Sequence, residues 1–169
     1  MSAAQDHEYG TTAKVLLSLG SLFVLLIFIG QFWFPIGKEA GASVAWRPAT
    51  WTYSVAWALL AVTSCLAALL GIHYWKFEPL YLIPFVGFLM LTYLLAFAWE
   101  GVYHAAKNGK GSTTLNDALG VFVLFLFAAV MFVASGFSLN VFVGLLVLPL
   151  VVWGAFQLAV GAAEIEAGG

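Results

Sequence analysis

The sequence predicts an all-α integral membrane protein, a bundle of five transmembrane helices joined by short loops. Three observations carry that expectation. Of the 169 residues, 63% are apolar and only 8% charged, with a mean hydropathy of +1.02. A water-soluble fold of this size must cover its outside with polar groups and has no place for so much apolar side chain. The apolar residues also fall in uncharged runs long enough to cross about 30 Å of hydrocarbon at 1.5 Å per residue. Finally, the polar residues are confined to short connections, so the chain reads as one membrane domain, 1–169, without a soluble part.

The elements follow in order. MSAAQDHEYGTTAK carries Asp6 and Glu8 before any lysine. It reads as a polar tail, because the run behind it is longer than a signal peptide's apolar core of about 7–15 residues. Val15–Gly37 is uncharged, and a first span is expected at 15–36, with Thr11 and Thr12 to cap its start and Pro35–Gly37 to stop it. KEAGASVAWRPAT, broken by Pro48, is a loop. A second span at 50–75 has Trp51, Tyr53 and Trp57 at one end and Tyr74 and Trp75 at the other, matching the aromatic belts at membrane surfaces. The connection Lys76–Pro79 is so short that the second span and a third, at 79–106, should form an antiparallel hairpin. KNGKGSTTLND then reads as a water-facing turn offering Thr113, Thr114 or Asn116 as a helix cap.

From Ala118 to Ala163 no residue is charged, a run that as one helix would be about 69 Å long, twice the bilayer core. A break is therefore expected at Ser135–Asn140, between a fourth span at 117–134 and a fifth at 140–164, with Pro149 kinking the latter. Five spans leave the chain ends on opposite sides. Lys38, Arg47, Lys107 and Lys110 then share the side of the C-terminus, against Lys14 and Lys76 on the other. The positive-inside rule thus makes the C-terminus cytoplasmic, in the plasma membrane of a bacterium or archaeon.

The polar residues inside the runs are the candidate sites. Glu100 and His104 lie four apart on one helix face near the end of the third span, and an ionisable group at membrane depth costs about 2.5–3.5 kcal/mol near a helix centre and less toward the interface. With Asp117 they could hold a divalent metal, since carboxylate and imidazole are suitable ligands. This spacing is similar to a carboxylate–xxx–His–x12–His pattern in the C subunit of copper membrane monooxygenases, with Asp117 standing at the last histidine. Two further readings stand beside it: an interfacial pair satisfied by Lys107, Lys110 and water, and a proton relay through Glu100. The three histidines are too few and too far apart to ligate a transmembrane pair of haems. Cys65, the single cysteine, excludes a disulfide framework, and a net charge of −2 without a basic run excludes nucleic acid as a partner. Gly144, Gly154 and Gly161 on the fifth span suit close helix packing. No Ser–His–Asp set, phosphate loop or HExxH motif marks catalysis.

Most of the seven Trp, six Tyr and fifteen Phe read as interfacial belts and lipid-facing bulk, which leaves Trp57 and Trp153 as the deeper tryptophans. PATWTYSVAW at Pro48–Trp57 and PLVVWGAFQLAVGAA at Pro149–Ala163 resemble two parts of the TspO/MBR family of tryptophan-rich sensory or translocator proteins. That family opens its second of five spans with a Pro-rich W-x-F-x-x-x-W stretch and marks its fifth with P-Y-x-x-W-x-x-x-A-x-x-L-N. Leu150 stands here at the tyrosine, and the terminal L-N is absent. By this resemblance Trp51, Tyr53, Trp57 and Trp153 would line a pocket for a tetrapyrrole, sterol or other flat apolar ligand.

Taken together, these features point to a non-catalytic polytopic protein, a small accessory or structural subunit of a larger membrane complex, respiratory or otherwise redox. Its partners would be lipid and other membrane subunits, with a bound lipid, quinone or tetrapyrrole as cofactor candidates. The alternatives are the TspO-like binding protein and a small channel or proton-linked transporter using Glu100.

Overall fold

The structure is a computed structural model that describes residues 44–74, 79–108 and 112–167, together with Thr11, Lys14, Val15, Ser18 and Leu22. The first expected span, 15–36, lies outside the described residues apart from Val15, Ser18 and Leu22. The described fold is all-helical: α1 (Thr50–Tyr74), α2 (Pro79–Lys107), α3 (Leu115–Leu139) and α4 (Val141–Glu166). Each is long and apolar enough to cross a membrane, so the described residues hold four such helices rather than the five expected.

Every helix buries a stripe with alternating steps of four and three residues. In α1 it runs Tyr53, Trp57, Leu60, Ser64, Ala67, Gly71; in α2 Leu82, Val86, Leu89, Tyr93, Ala96, Glu100, Tyr103. The same steps recur in α3 from Ala118 through Phe122, Phe125, Ala129 and Phe132 to Gly136, and in α4 with one extra step of three, Val143 to Glu164. A spacing averaging 3.5 is the seam of left-handed helix bundles, where side chains of one helix fill holes between those of the next. The bundle centre is aromatic, with Phe85 of α2 4.9 Å from Phe132 of α3 and Phe122 5.0 Å from Phe125.

The short 75–78 connection predicts α1 against α2, but α1 packs chiefly on α4, and its meetings with α2 are few. The physical reason lies in its seam. Tyr53 meets Trp153 of α4 edge-on at 5.6 Å and Trp57 lies 5.8 Å from Phe125 of α3, so the large rings of α1 find their partners across the bundle. What ties α1 to α2 is polar. The buried Tyr93 hydroxyl donates to Ser64 Oγ at 2.8 Å, with Leu60 O a further acceptor at 3.1 Å. Such bonds are worth about 0.5–1.5 kcal/mol net.

The break in the long uncharged run is narrower than Ser135–Asn140. Helix α3 continues to Leu139, and Asn140 alone, extended at φ −166° and ψ 147°, separates it from α4. Its N–H donates to Gly136 O at 3.0 Å and its side-chain Oδ1 accepts from Phe142 N at 2.8 Å, so one residue caps both helices. Ser135 and Ser138 do not cap because their hydroxyls turn back onto Phe132 O and Ala134 O of their own helix. Gly136 is buried for a packing reason: a Cβ there would lie 3.3 Å from Gly144 Cα, where α3 and α4 cross closely. Helix α4 runs unbroken through Pro149, as α2 does through Pro84.

Candidate functional site

The buried carboxylates of the seams, Glu100 and Glu164, lie toward the end of the bundle where α2 and α4 finish and α1 and α3 begin. The segment before α1 brings Arg47 there, its turn fixed by Arg47 N donating to Val44 O at 2.9 Å and by Trp46 packing edge-on against Phe156 at 5.9 Å. Arg47 Nη1 lies 2.6 Å from Glu164 Oε1, with side-chain exposures of 16% and 5%. The other carboxylate oxygen, Oε2, accepts from the Tyr103 hydroxyl at 3.2 Å. The guanidinium also lies 5.8 Å from the Tyr53 ring centre, within cation–π range. One ion pair thereby joins the start of α1 to the ends of α2 and α4.

Behind it lies a cavity of about 50 Å³ lined by Tyr53, Trp99, Tyr103, Phe122, Gln157 and Glu164 among others. That is room for a guest of water size, not for a macrocycle. Gln157 is 6% exposed, and its Oε1 has no hydrogen-bond partner among the described residues. A second opening, an apolar groove of about 620 Å³, runs between α1 and α4 and is lined by Leu59, Leu60, Leu145, Leu148, Val152 and Trp153 among others.

The expected site residues distribute as follows. Glu100 is buried on the α2 seam, and His104 Nε2 lies 3.8 Å from its Oε1. Asp117 does not join them. It is exposed in the first turn of α3, where Oδ2 accepts from Thr114 N at 2.7 Å and Thr114 Oγ1 at 2.8 Å, and Asp117 N donates back at 3.3 Å. This is a reciprocal capping box, and capping holds the carboxylate away from the bundle interior. Among the described residues no three His, Cys, Asp or Glu side chains form a group that could hold a metal, so the expected Glu100–His104–Asp117 set is not assembled.

Among the described residues the four aromatic candidates do not line one pocket. Trp51 is 68% exposed, and Trp57 is buried in the core. Tyr53 lines the small cavity beside Arg47, while Trp153 lines the apolar groove. The sequence reading missed Arg47, Tyr103, Gln157 and Glu164 as a unit. A signal was present: Gln157 and Glu164 lie seven apart in a helix whose only other charged residue is its last, Glu166, and seven is the repeat of a single seam. The chain was compared with protein-family models, curated proteins and solved structures, and none of them matches it.

Proposed function

We propose that this protein is a non-catalytic, polytopic membrane subunit, a small accessory or structural component of a larger membrane complex of respiratory or other redox type. The observation that carries the reading is the character of the outward faces. Each helix presents large apolar side chains away from the bundle, with Leu59 61%, Ile83 62%, Phe127 64% and Val152 64% exposed. Faces of this kind suit both lipid and neighbouring helices, because association within a bilayer is driven by packing and interhelical hydrogen bonds. The polar groups of the interior meanwhile serve cohesion: Tyr93 ties α2 to α1, and Glu164 ties α4 to α2 and to Arg47. Its place is a bacterial or archaeal plasma membrane, with a cytoplasmic C-terminus by the lysine and arginine bias.

The test is purification from native membranes in mild detergent at natural abundance, followed by identification of co-migrating chains. Larger membrane subunits in fixed proportion are the expected result. A chain that migrates alone, and whose removal leaves every membrane complex intact, overturns the reading.

A second reading, a TspO-like protein that takes a flat apolar ligand such as a tetrapyrrole, sterol or quinone, draws on the groove. Trp153 lines it, and its indole N–H is buried without a partner among the described residues. Such a site predicts that porphyrin quenches tryptophan fluorescence saturably in the native protein. Quenching that persists unchanged in Trp153→Phe counts against this groove as the site.

A further inference from the structure

We infer that the cavity at the Arg47 end is a water-binding site. A short file of ordered waters runs along the α4 seam from Gln157 to the Glu164–Arg47 pair and supplies hydrogen bonds to the buried polar groups there. The inference stands apart from the subunit reading above.

Three observations carry it. The first is a pair of buried polar atoms. Gln157 is 6% and Tyr53 4% exposed, and both line the cavity. Neither Gln157 Oε1 nor Tyr53 Oη has a hydrogen-bond partner among the described residues. An unpaired buried polar atom costs about 1–3 kcal/mol, and a buried water removes that cost where there is room for one. The second is size: a water needs about 10–15 Å³ of cavity, so the 50 Å³ here holds about three. The third is length. Gln157 and Glu164 are separated by about 10.5 Å of helix rise, too far for one water to reach both. Three in file, linked by hydrogen bonds of about 2.8 Å, span about 11 Å.

The lining suits such a file. The Tyr53 ring lies 5.6 Å from that of Trp153, one turn before Gln157, and 5.8 Å from the guanidinium paired with Glu164, so Tyr53 sits alongside this same stretch of α4. At the outer end, Arg47 and Tyr103 each take one oxygen of Glu164, and a carboxylate with about four acceptor sites still has lone pairs for a water. Between the polar groups the walls are apolar, from Trp99, Phe122 and Val160 among others, so the waters bond along the file rather than sideways. At the inner end the seam closes: a Cβ on Gly154, three residues before Gln157, would lie 3.0 Å from Phe125 Cε1. The file therefore ends at Gln157, which makes this a hydrated pocket and not a channel.

The experiment uses the full chain in detergent micelles. Brief X-ray pulses split bound waters into hydroxyl radicals, which oxidise the side chains beside them, and mass spectrometry locates the oxidised residues. The buried Tyr53 and Tyr103 should be oxidised, while Tyr93, equally buried but in the packed core, should not. A radical scavenger in the bulk solvent should protect the exposed Trp51 and leave Tyr53 and Tyr103 oxidised. Gln157→Leu removes the inner anchor of the file, so oxidation at Tyr53 should be lost while Tyr103, beside Glu164, keeps its own. If that variant does not fold, Gln157→Met carries the same expectation, and the comparison of Tyr53 with Tyr93 in the unsubstituted protein stands without either. Tyr53 and Tyr103 oxidised no more than Tyr93 overturns the inference. So does oxidation that the bulk scavenger abolishes, or oxidation at Tyr53 unchanged in a folded Gln157 variant.

Discussion

Gly144 offers the sharpest test of the packing. A Cβ placed there would lie 2.3 Å from Phe137 Cγ and 2.4 and 2.7 Å from the two Cδ atoms, where ordinary contact begins at 3.4 Å. Relief requires Phe137 Cγ to move by roughly 1 Å, a shift of the size that over-packing imposes. Cγ is bonded directly to Cβ, so it moves only if the χ1 rotamer changes or the helices part. Parting is resisted by the Asn140 turn, whose bonds at 3.0 and 3.1 Å leave no slack between α3 and α4. Gly144→Ala should therefore destabilise the protein by about 1–3 kcal/mol. The assay is reversible unfolding in mixed micelles, run as a double-mutant cycle with Phe137→Ala. In the Phe137→Ala background the clash is gone, and the second substitution should be neutral or stabilise by up to about 1 kcal/mol through helix propensity. Gly161→Ala, whose Cβ would meet Leu119 Cδ1 at an ordinary 3.7 Å, should behave like that relieved case. An equal penalty for Gly144→Ala in both backgrounds would refute the clash as its cause.

Further predictions concern the polar ties. Tyr93→Phe removes the hydroxyl that reaches Ser64 and Leu60 and should cost about 1–2 kcal/mol, read as a lowered unfolding midpoint; Ser64→Ala in addition should cost little more, since the pair acts as one. Asn140→Ala removes the side-chain cap on Phe142 N and should cost about 1 kcal/mol, with faster amide exchange at the start of α4 as its local signature. Glu164→Gln leaves Arg47 without its counter-charge and should cost about 3–5 kcal/mol. Replacing Arg47 and Glu164 together by Met and Leu should cost far less than either single change, and a double variant as unstable as Glu164→Gln alone would show that the pair is not the element being lost.

Class and span boundaries were legible because they depend on local quantities. A charge-free run of membrane length must be a helix in a bilayer, since no water is present to satisfy an open backbone. The bounds of α1, α2 and α4 accordingly fall within a residue or two of those expected from charge and proline alone. The end of α3 does not, because Ser135, Gly136 and Ser138 have turn-forming composition but are spent on hydroxyl back-bonds and on the close approach to Gly144. Asp117 misled for a similar reason: its spacing from His104 suits a ligand, while Thr114, three residues earlier, claims it as a cap.

What the sequence determined by itself, then, is that these segments are helices, how long they are except for α3, and that their charged residues gather toward helix ends. It could not decide which stripe of each helix faces inward. In a soluble protein hydrophobicity marks that stripe; here the lipid-facing residues are as apolar as the buried ones, and the contrast vanishes. Only the packed structure shows that Glu100, Gln157 and Glu164 lie on the inward seams and that Arg47, distant in sequence, closes the bundle end over Glu164. The physical reason is that shape, in the form of glycine crossings and ring-to-ring contacts, sets helix rotation where polarity cannot.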